Sequence, residues 1–314
     1  MKSLKRLISA YILLLCSFAA SAYDFFSGGC YFNIIDYENA LVEIANAGDG
    51  FFIESGYKGD VVIPETVVYD EMTYQVVRIG YYAFYNCDIT SVRIPASIKD
   101  IDCGHFSTRS AFSNCEKLES IVVDEYNPWY DSRENCNAII KTGTNTLIAG
   151  CKNTLIPVSV TAIGRCAFDQ NSNLESIEIP NSVTLVDTLA FCECTNLTNV
   201  IFSDDSQLTN IGYGAFKKCS NLTSINLPAG VTLIERETFS GCSNLTSIEF
   251  SADSQLTSIG YEGFRDCSSL TSITIPKGVT SIGDNAFRDC SSLTSITIPE
   301  GVTSIGESAF GECI

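Results

Sequence analysis

A pattern of apolar and polar positions about two dozen residues long recurs along the second half of the chain. In one copy, Ile273 and Ile275 alternate with polar residues, which predicts a short strand with one buried face. Pro276 has no backbone N–H and is predicted to end that strand. A second extended piece is predicted over Val279 to Ile282. The segment from Asp284 to Cys290 fits one tight helical or 3₁₀ turn better than a strand.

The copies follow one another at steps of 23 or 25 residues, counted between their first leucines. A fixed step of this length is typical of a solenoid, in which each coil buries its apolar side against the next. Each coil also carries a phenylalanine at the same position, and these are predicted to stack as a structural spine. The phenylalanine column contains Phe84, Phe112, Phe168, Phe191, Phe216, Phe239, Phe264, Phe287 and Phe310.

The combined pattern reads LxxIxIPxxVxxIGxxAFxxC, and Pro276, Gly283, Ala286-Phe287 and Cys290 fill its fixed positions together. Over roughly Val61 to Ile314 the chain resembles the BspA-like class of leucine-rich repeats. This resemblance implies a right-handed, curved solenoid on a bacterial or protozoan surface. It also implies the role described for members of the family, which is adhesion to host matrix or plasma proteins.

The expected fold is therefore mainly β with short helical or 3₁₀ turns, built as a leucine-rich-repeat-like solenoid behind an N-terminal β cap. A cap is expected because the first coil would otherwise expose unpaired backbone and apolar surface. The expected organisation is a signal peptide at 1–22, a β cap at 23–72, irregular first coils at 73–123, a β-hairpin insertion at 124–154 and regular repeats at 155–314.

The first 22 residues have the three parts of a secretory signal. Lys2, Lys5 and Arg6 precede an apolar run, and Ala20-Ser21-Ala22 provides a small-residue cleavage site. The apolar run is shorter than the roughly 20 residues that a membrane span requires. We therefore expect an exported protein, at the cell surface or secreted, without a membrane span. The pattern leaves open how a surface form would be retained.

The chain carries 19 basic and 37 acidic residues, a formal net charge of −18. Without the three basic residues of the leader, 16 basic residues stand against 37 acidic ones, a net charge of −21. Because this charge repels phosphate groups, nucleic acid and anionic lipid are not expected as partners. The oligomeric state is left open.

Fourteen cysteines follow the leader. Most lie three residues after a phenylalanine of the column, a phase that indicates buried free thiols more than disulfides. One pair is different, because a two-residue loop at Gly143-Thr144 would place Cys136 opposite Cys151 in a hairpin. That pair is the best disulfide candidate, with two free thiols as the alternative.

Three functions compete. The first is protein binding and adhesion, to host or envelope proteins, through an outward face of the strands. The second is a structural envelope or spacer protein without a specific ligand. An enzyme is the least favoured, because no nucleophile motif, phosphate loop, metal cluster or cofactor site stands out and the lone His105 has no partner at a recognisable spacing. The candidate binding face comprises Ser176, Glu178, Ser224, Asn226, Ser247, Ser272, Thr274 and Ser295.

Overall fold

The computed structural model describes residues 23–47, 56–103 and 109–313. The predicted signal peptide and His105 lie outside these ranges. The strands are β1 (Phe25–Ser27), β2 (Cys30–Asp36), β3 (Leu41–Ile44), β4 (Lys58–Val62), β5 (Thr66–Tyr69), β6 (Met72–Ile79), β7 (Asp88–Ile94), β8 (Asp100–Ile101), β9 (Ser120–Val123), β10 (Tyr130–Asp131), β11 (Ala138–Lys141), β12 (Thr146–Gly150), β13 (Ala162–Ile163), β14 (Ser176–Ile179), β15 (Leu185–Val186), β16 (Asn199–Phe202), β17 (Asn210–Ile211), β18 (Ser224–Leu227), β19 (Leu233–Ile234), β20 (Ser247–Phe250), β21 (Ser258–Ile259), β22 (Ser272–Thr274), β23 (Ser281–Ile282), β24 (Ser295–Thr297) and β25 (Ser304–Ile305). A short 3₁₀ segment covers Arg133–Asn135.

Each regular coil contributes one strand to each of two parallel ladders. The long-strand ladder contains β4, β7, β9, β14, β16, β18, β20, β22 and β24, hydrogen-bonded as β4–β7–β9, β14–β16, β18–β20 and β22–β24. The short-strand ladder contains β6, β8, β13, β15, β17, β19, β21, β23 and β25. Equivalent residues pair directly, as Ser272 does with Ser295. The predicted solenoid of stacked coils is confirmed.

The N-terminal cap is an antiparallel meander joined to the first coils. Strand β1 pairs with β2 and β2 with β3, both antiparallel, and β3 then runs parallel to β6. Strand β4 already belongs to the long-strand ladder, since it runs parallel to β7. The Tyr57 ring lies 4.8 Å from that of Phe84, so it occupies the position next to the first phenylalanine of the column. Cys30 is buried in this core as a free thiol.

The hairpin of β11 and β12 is part of the stack as well as an insertion. Strand β12 pairs antiparallel with β11 on one edge and parallel with β13 on the other, so it extends the short-strand ladder. The insertion therefore acts as a partial coil between the coil of Phe112 and that of Phe168.

The corner that carries each phenylalanine is a chain of tight turns. In the coil of Phe287, the N–H groups of Ala286, Arg288 and Cys290 donate to carbonyls three residues back. Alternate N–H groups donate instead to the next coil, as Phe287 does to the carbonyl oxygen of Ala309 at 2.7 Å. Asn285 and Asp289 have positive φ angles of 54° and 61°. These left-handed residues interrupt the 3₁₀ bonding, so the single helical turn expected here is replaced by successive turns.

The phenylalanine column is confirmed from Phe168 to Phe310. Adjacent rings in this part are stacked with centroids 5.0–5.5 Å apart and planes within 9° of each other. Phe84 and Phe112 form a separate stacked pair. Between the two parts lies Gly150, where a Cβ would come within 2.2 Å of the Phe168 ring. The expectation of one column through nine coils is therefore corrected to two columns, because the partial coil places a glycine where a ring would stand.

The cysteines that follow the phenylalanines form a second buried ladder. From Cys115 onward, each of these thiols donates to the carbonyl oxygen of the phenylalanine one coil back, as in Cys219 Sγ to Phe191 O at 3.1 Å and Cys242 Sγ to Phe216 O at 3.1 Å. Cys87, at the start of the ladder, donates to Tyr85 O instead. A thiol is small enough for the core and still satisfies a carbonyl at the corner. Burial raises the pKa of Cys242 to about 12, which keeps it protonated and therefore able to donate.

The predicted disulfide between Cys136 and Cys151 is wrong, since both residues are free thiols. The hairpin closes Lys141 against Thr146, so the turn contains four residues where two were expected. Ala138 then faces Gly150, and a register shift after Ile139 further offsets the two strands. Cys136 consequently joins the core around Phe168 while Cys151 joins the core around Phe112.

The burial of the thiols predicts their reactivity. In the folded protein of residues 23–314, we expect iodoacetamide to react first with Cys103 and Cys313. These two are half-buried, whereas the other described cysteines are buried. In denaturant without a reducing agent, all fourteen cysteines should be alkylated. Peptide mass spectrometry measures both patterns. Any pair that resists alkylation in denaturant until a reductant is added would contradict this prediction.

Candidate binding face

The outward side chains of the long-strand ladder form two adjacent columns, which we call the outer columns. One contains Ser176, Asn199, Ser224, Ser247, Ser272 and Ser295, and the other contains Glu178, Ile201, Asn226, Glu249, Thr274 and Thr297. The strands place them there because inward and outward side chains alternate with a period of two. All of these side chains are exposed except Ser247, which is half-buried. The inward neighbours, such as Ile273 and Ile225, are buried.

The structure brings all eight residues of the predicted binding face into these two columns. Glu178 lies opposite Ile201 on the next strand, and Asn226 lies opposite Glu249. Sequence reasoning missed four residues of the columns, although each lies one repeat step from a predicted residue: Asn199, Ile201, Glu249 and Thr297. The columns consist mainly of small hydroxyl side chains with two carboxylates and one exposed apolar residue. Such a surface offers hydrogen bonds and little steric obstruction to a protein laid along it.

A groove of about 520 Å³ lies beside β14 at one end of the outer columns. Its lining includes Leu155 and Val158, which are 74% and 71% exposed, and Ile201, which is 42% exposed. Glu178 is the charged residue in this lining. The groove is therefore the most apolar part of an otherwise polar face.

A network of charged residues on the corner side was not predicted. The side chain of Asp169 is fully buried, and the Arg109 guanidinium donates to its two carboxylate oxygens at 2.9 and 3.2 Å. Burial raises the pKa of Asp169 to about 6, although Arg109 favours the ionised form. Burial also disfavours ionisation of Glu193, but hydrogen bonds from Gln170 and Lys218 outweigh it and hold the pKa of Glu193 below its usual value.

A second carboxylate on the corner side is held in the same way. Glu237 is only 5% exposed and accepts hydrogen bonds from Lys217 and Arg236. These bonds lower the pKa of Glu237 despite the opposing effect of burial. The guanidinium of Arg236 also lies 4.6 Å from the centre of the Tyr261 ring. Every buried carboxylate here has cationic partners, an arrangement typical of structural ion pairs between coils.

In the described ranges, no three His, Cys, Asp or Glu side chains are grouped so as to hold a metal ion. Within the same ranges, no helix combines the length and apolar character needed to span a bilayer.

Stacked coils with two parallel ladders define a leucine-rich repeat solenoid, and comparison with known families identifies the type. The family described as "BspA type Leucine rich repeat region" matches six copies, covering residues 69–128, 148–256 and 209–314. The chain belongs to this family. The resemblance inferred from the repeat pattern is confirmed. Proteins of this class generally bind other proteins and are typically not enzymes.

Among the solved structures that the chain resembles, one with a TM-score of 0.68 shares its fold. A leucine-rich repeat protein from Eubacterium ventriosum is 25% identical, with a TM-score of 0.68 over 83% of this chain and 69% of the other. A leucine-rich repeat protein from Bacteroides ovatus is 24% identical, with a TM-score of 0.35 over 93% of both chains. A leucine rich cell surface protein from Faecalibacterium prausnitzii is 22% identical, with a TM-score of 0.34 over 92% of both chains. No curated protein matches the chain.

Proposed function

We propose that this is an exported protein, at the cell surface or secreted, that binds a protein ligand through the outer columns. The observation that carries the proposal is the register of the ladder, which presents equivalent exposed side chains side by side over successive coils. A rigid stack of this kind suits an extended protein surface, since it need not reorganise on binding. Export is supported by the three-part pattern of residues 1–22.

Host matrix or plasma proteins and envelope proteins are the ligand classes we propose. The acidic charge of the chain favours basic ligand surfaces, because complementary charge speeds encounter and fixes orientation. A screen of residues 23–314 against immobilised matrix, plasma, envelope and glycan ligands tests the proposal. Saturable binding to a protein is expected.

Substitution on the outer columns tests which face binds. Ser272→Arg should weaken binding to the ligand found in the screen by about tenfold, because a bulky side chain would hold the ligand away from the neighbouring residues. Thermal unfolding should shift little, since Ser272 is exposed and its substitution opens no cavity. Titration by biolayer interferometry measures the affinity.

Ser291→Arg is the matched control. Ser291 is an exposed serine in the turn that ends the same coil, outside the outer columns. The Ser291→Arg variant should bind the ligand as tightly as the unsubstituted protein does. Equal weakening by both substitutions would contradict a site on the outer columns.

A spacer without a specific ligand is the second candidate. One observation favours it, namely that serine and threonine predominate in the outer columns. Such a uniform surface is expected if the repeats serve only to stack on one another. This function predicts no saturable protein binding above that of an unrelated acidic protein of similar charge.

A further inference from the structure

The long-strand ladder has a gap beside β14. Among the strands of the described residues, β14 pairs only with β16, and none is hydrogen-bonded to its other edge. The chain that passes there comes from the partial coil and is too short to form a strand. Pro157 follows Cys151 by six residues, whereas Pro276 follows Cys267 by nine. Residues 154–157 therefore cross the gap without pairing to β14.

The gap leaves specific backbone groups of β14 unpaired. The carbonyl oxygens of Glu175 and Ile179 accept hydrogen bonds from the residues just before and just after β16, at Thr198 N and Ser203 N. Alternate residues of a parallel strand bond to opposite neighbours, so the N–H and C=O groups of Ser176 and Glu178 face the gap. Among the described residues, neither has a backbone hydrogen-bond partner on that side.

The long-strand ladder is also interrupted after β16 and after β20, but there the neighbouring strand is still present. In both places it lies alongside, although it is not hydrogen-bonded. Beside β14, by contrast, the groove of about 520 Å³ occupies the position of a strand. Leu155 and Val158 stand largely exposed at its wall. An open strand edge next to exposed apolar side chains is the arrangement that binds an added strand.

We propose that this groove binds an extended segment of a partner protein, which adds to the edge of β14 as a parallel strand. The proposal rests on the protein-binding function above and assigns it a site and a mode. The added strand would supply the main-chain partners that Ser176 and Glu178 lack, and its inward side chains would contact Leu155 and Val158.

Charge identifies the chemistry of the occupant. Glu178 is the charged residue of the groove lining, and Glu175 and Asp204 are exposed on the neighbouring segments. Because the ladder pairs equivalent positions, the residue beside Glu178 corresponds to Thr274 of a regular coil. The occupant is therefore an apolar strand with a lysine or arginine at that position.

A peptide from the repeat itself is a suitable probe. The acetylated and amidated segment LTSITIPK, Leu270 to Lys277, has the strand pattern of a regular coil, and Thr274→Lys places a cation beside Glu178. We expect saturable binding of this peptide to residues 23–314 by isothermal titration calorimetry. Amide hydrogen exchange at Ser176 and Glu178 should slow on binding. Failure of the peptide to bind, or unchanged exchange at both amides, would overturn the proposal.

Backbone methylation of the peptide tests the hydrogen bonds. In a strand added before β14, the N–H of Ile273 points towards β14 and that of Ser272 points away. N-methylation at Ile273 should abolish binding, whereas N-methylation at Ser272 should leave it largely intact. Equal binding of the two methylated peptides would overturn the strand-addition mode.

Two protein variants provide a matched charge test. Glu178→Lys should weaken binding of the lysine peptide by about tenfold. Glu249→Lys makes the same change at the same register position on β20, away from the groove, and should have little effect. Equal weakening by the two variants would show a general effect of net charge and overturn the groove site. Since these assays use no natural ligand, their failure would leave the ligand screen of the outer columns as a separate test.

Discussion

Replacing Phe239 by alanine should destabilise the protein by about 3–5 kcal/mol, the range observed when a buried aromatic ring is removed from a core. Phe239 is fully buried, and its ring is stacked at 5.5 Å on Phe216 and at 5.4 Å on Phe264. The cavity cannot collapse easily, because backbone hydrogen bonds hold the coils on both sides at a fixed spacing. The substitution therefore removes contacts to two neighbouring coils at once.

The expected loss is measured by urea unfolding followed by circular dichroism. In a solenoid, stability is approximately a sum over coils and their interfaces, so a weakened interface could also unfold locally. Limited proteolysis, with the cleavage sites mapped by mass spectrometry, detects such local unfolding. We expect cleavage to concentrate in the coils on either side of Phe239.

Phe310→Ala is the matched control for Phe239→Ala. Phe310 is half-buried and stacked on one described neighbour, Phe287. Its removal should cost clearly less than that of Phe239, since it loses one interface and leaves a site open to water. An equal or greater loss at Phe310 would show that stacking along the column does not determine the stability of the coils.

The repeat itself explains why so much of the fold could be predicted. The alternation at Ile273 and Ile275 defines a strand, and Pro276 stops it where expected. The step between copies places equivalent residues next to each other, so the columns of phenylalanine, cysteine and outward serine follow from counting. No contact between distant segments with unrelated sequences is needed for these predictions.

Features that depend on how one coil packs against the next could not be predicted in the same way. The position of Gly150 against the Phe168 ring follows from how the hairpin docks, which its local sequence does not specify. The same docking sets Cys136 and Cys151 in separate cores. The left-handed corner residues include Cys166 and Leu189, whose side chains do not favour that conformation on their own. Hydrogen bonds to the next coil determine it.

The Arg109–Asp169 pair gives the second large expected effect. Arg109→Met should destabilise the protein by about 3–5 kcal/mol at pH 7, because it leaves the Asp169 carboxylate buried without its cation. Arg109 belongs to the early coils and Asp169 to the coil of Phe168, so the pair also joins the two parts of the solenoid across the partial coil. Urea unfolding at several pH values measures the effect.

The pH dependence of this loss has a definite sign. Burial raises the pKa of Asp169 to about 6 in the folded protein, above the value of about 4 expected for an unfolded chain. Between these values the folded state binds more protons, so the contribution of Asp169 to the free energy of unfolding falls as the pH rises. Without Arg109 the pKa of Asp169 should rise further. The difference in stability between Arg109→Met and the unsubstituted protein should therefore be larger at pH 7 than at pH 5.

The double variant Arg109→Met/Asp169→Asn separates the buried charge from the lost packing. Asparagine has nearly the same shape as aspartate and carries no charge, so the double variant should recover most of the stability lost by Arg109→Met at pH 7. The difference in stability between the double variant and the unsubstituted protein should also depend less on pH. If the double variant were as unstable as Arg109→Met at both pH values, the loss would come from the packing of the Arg109 side chain, and the buried carboxylate would not be its cause.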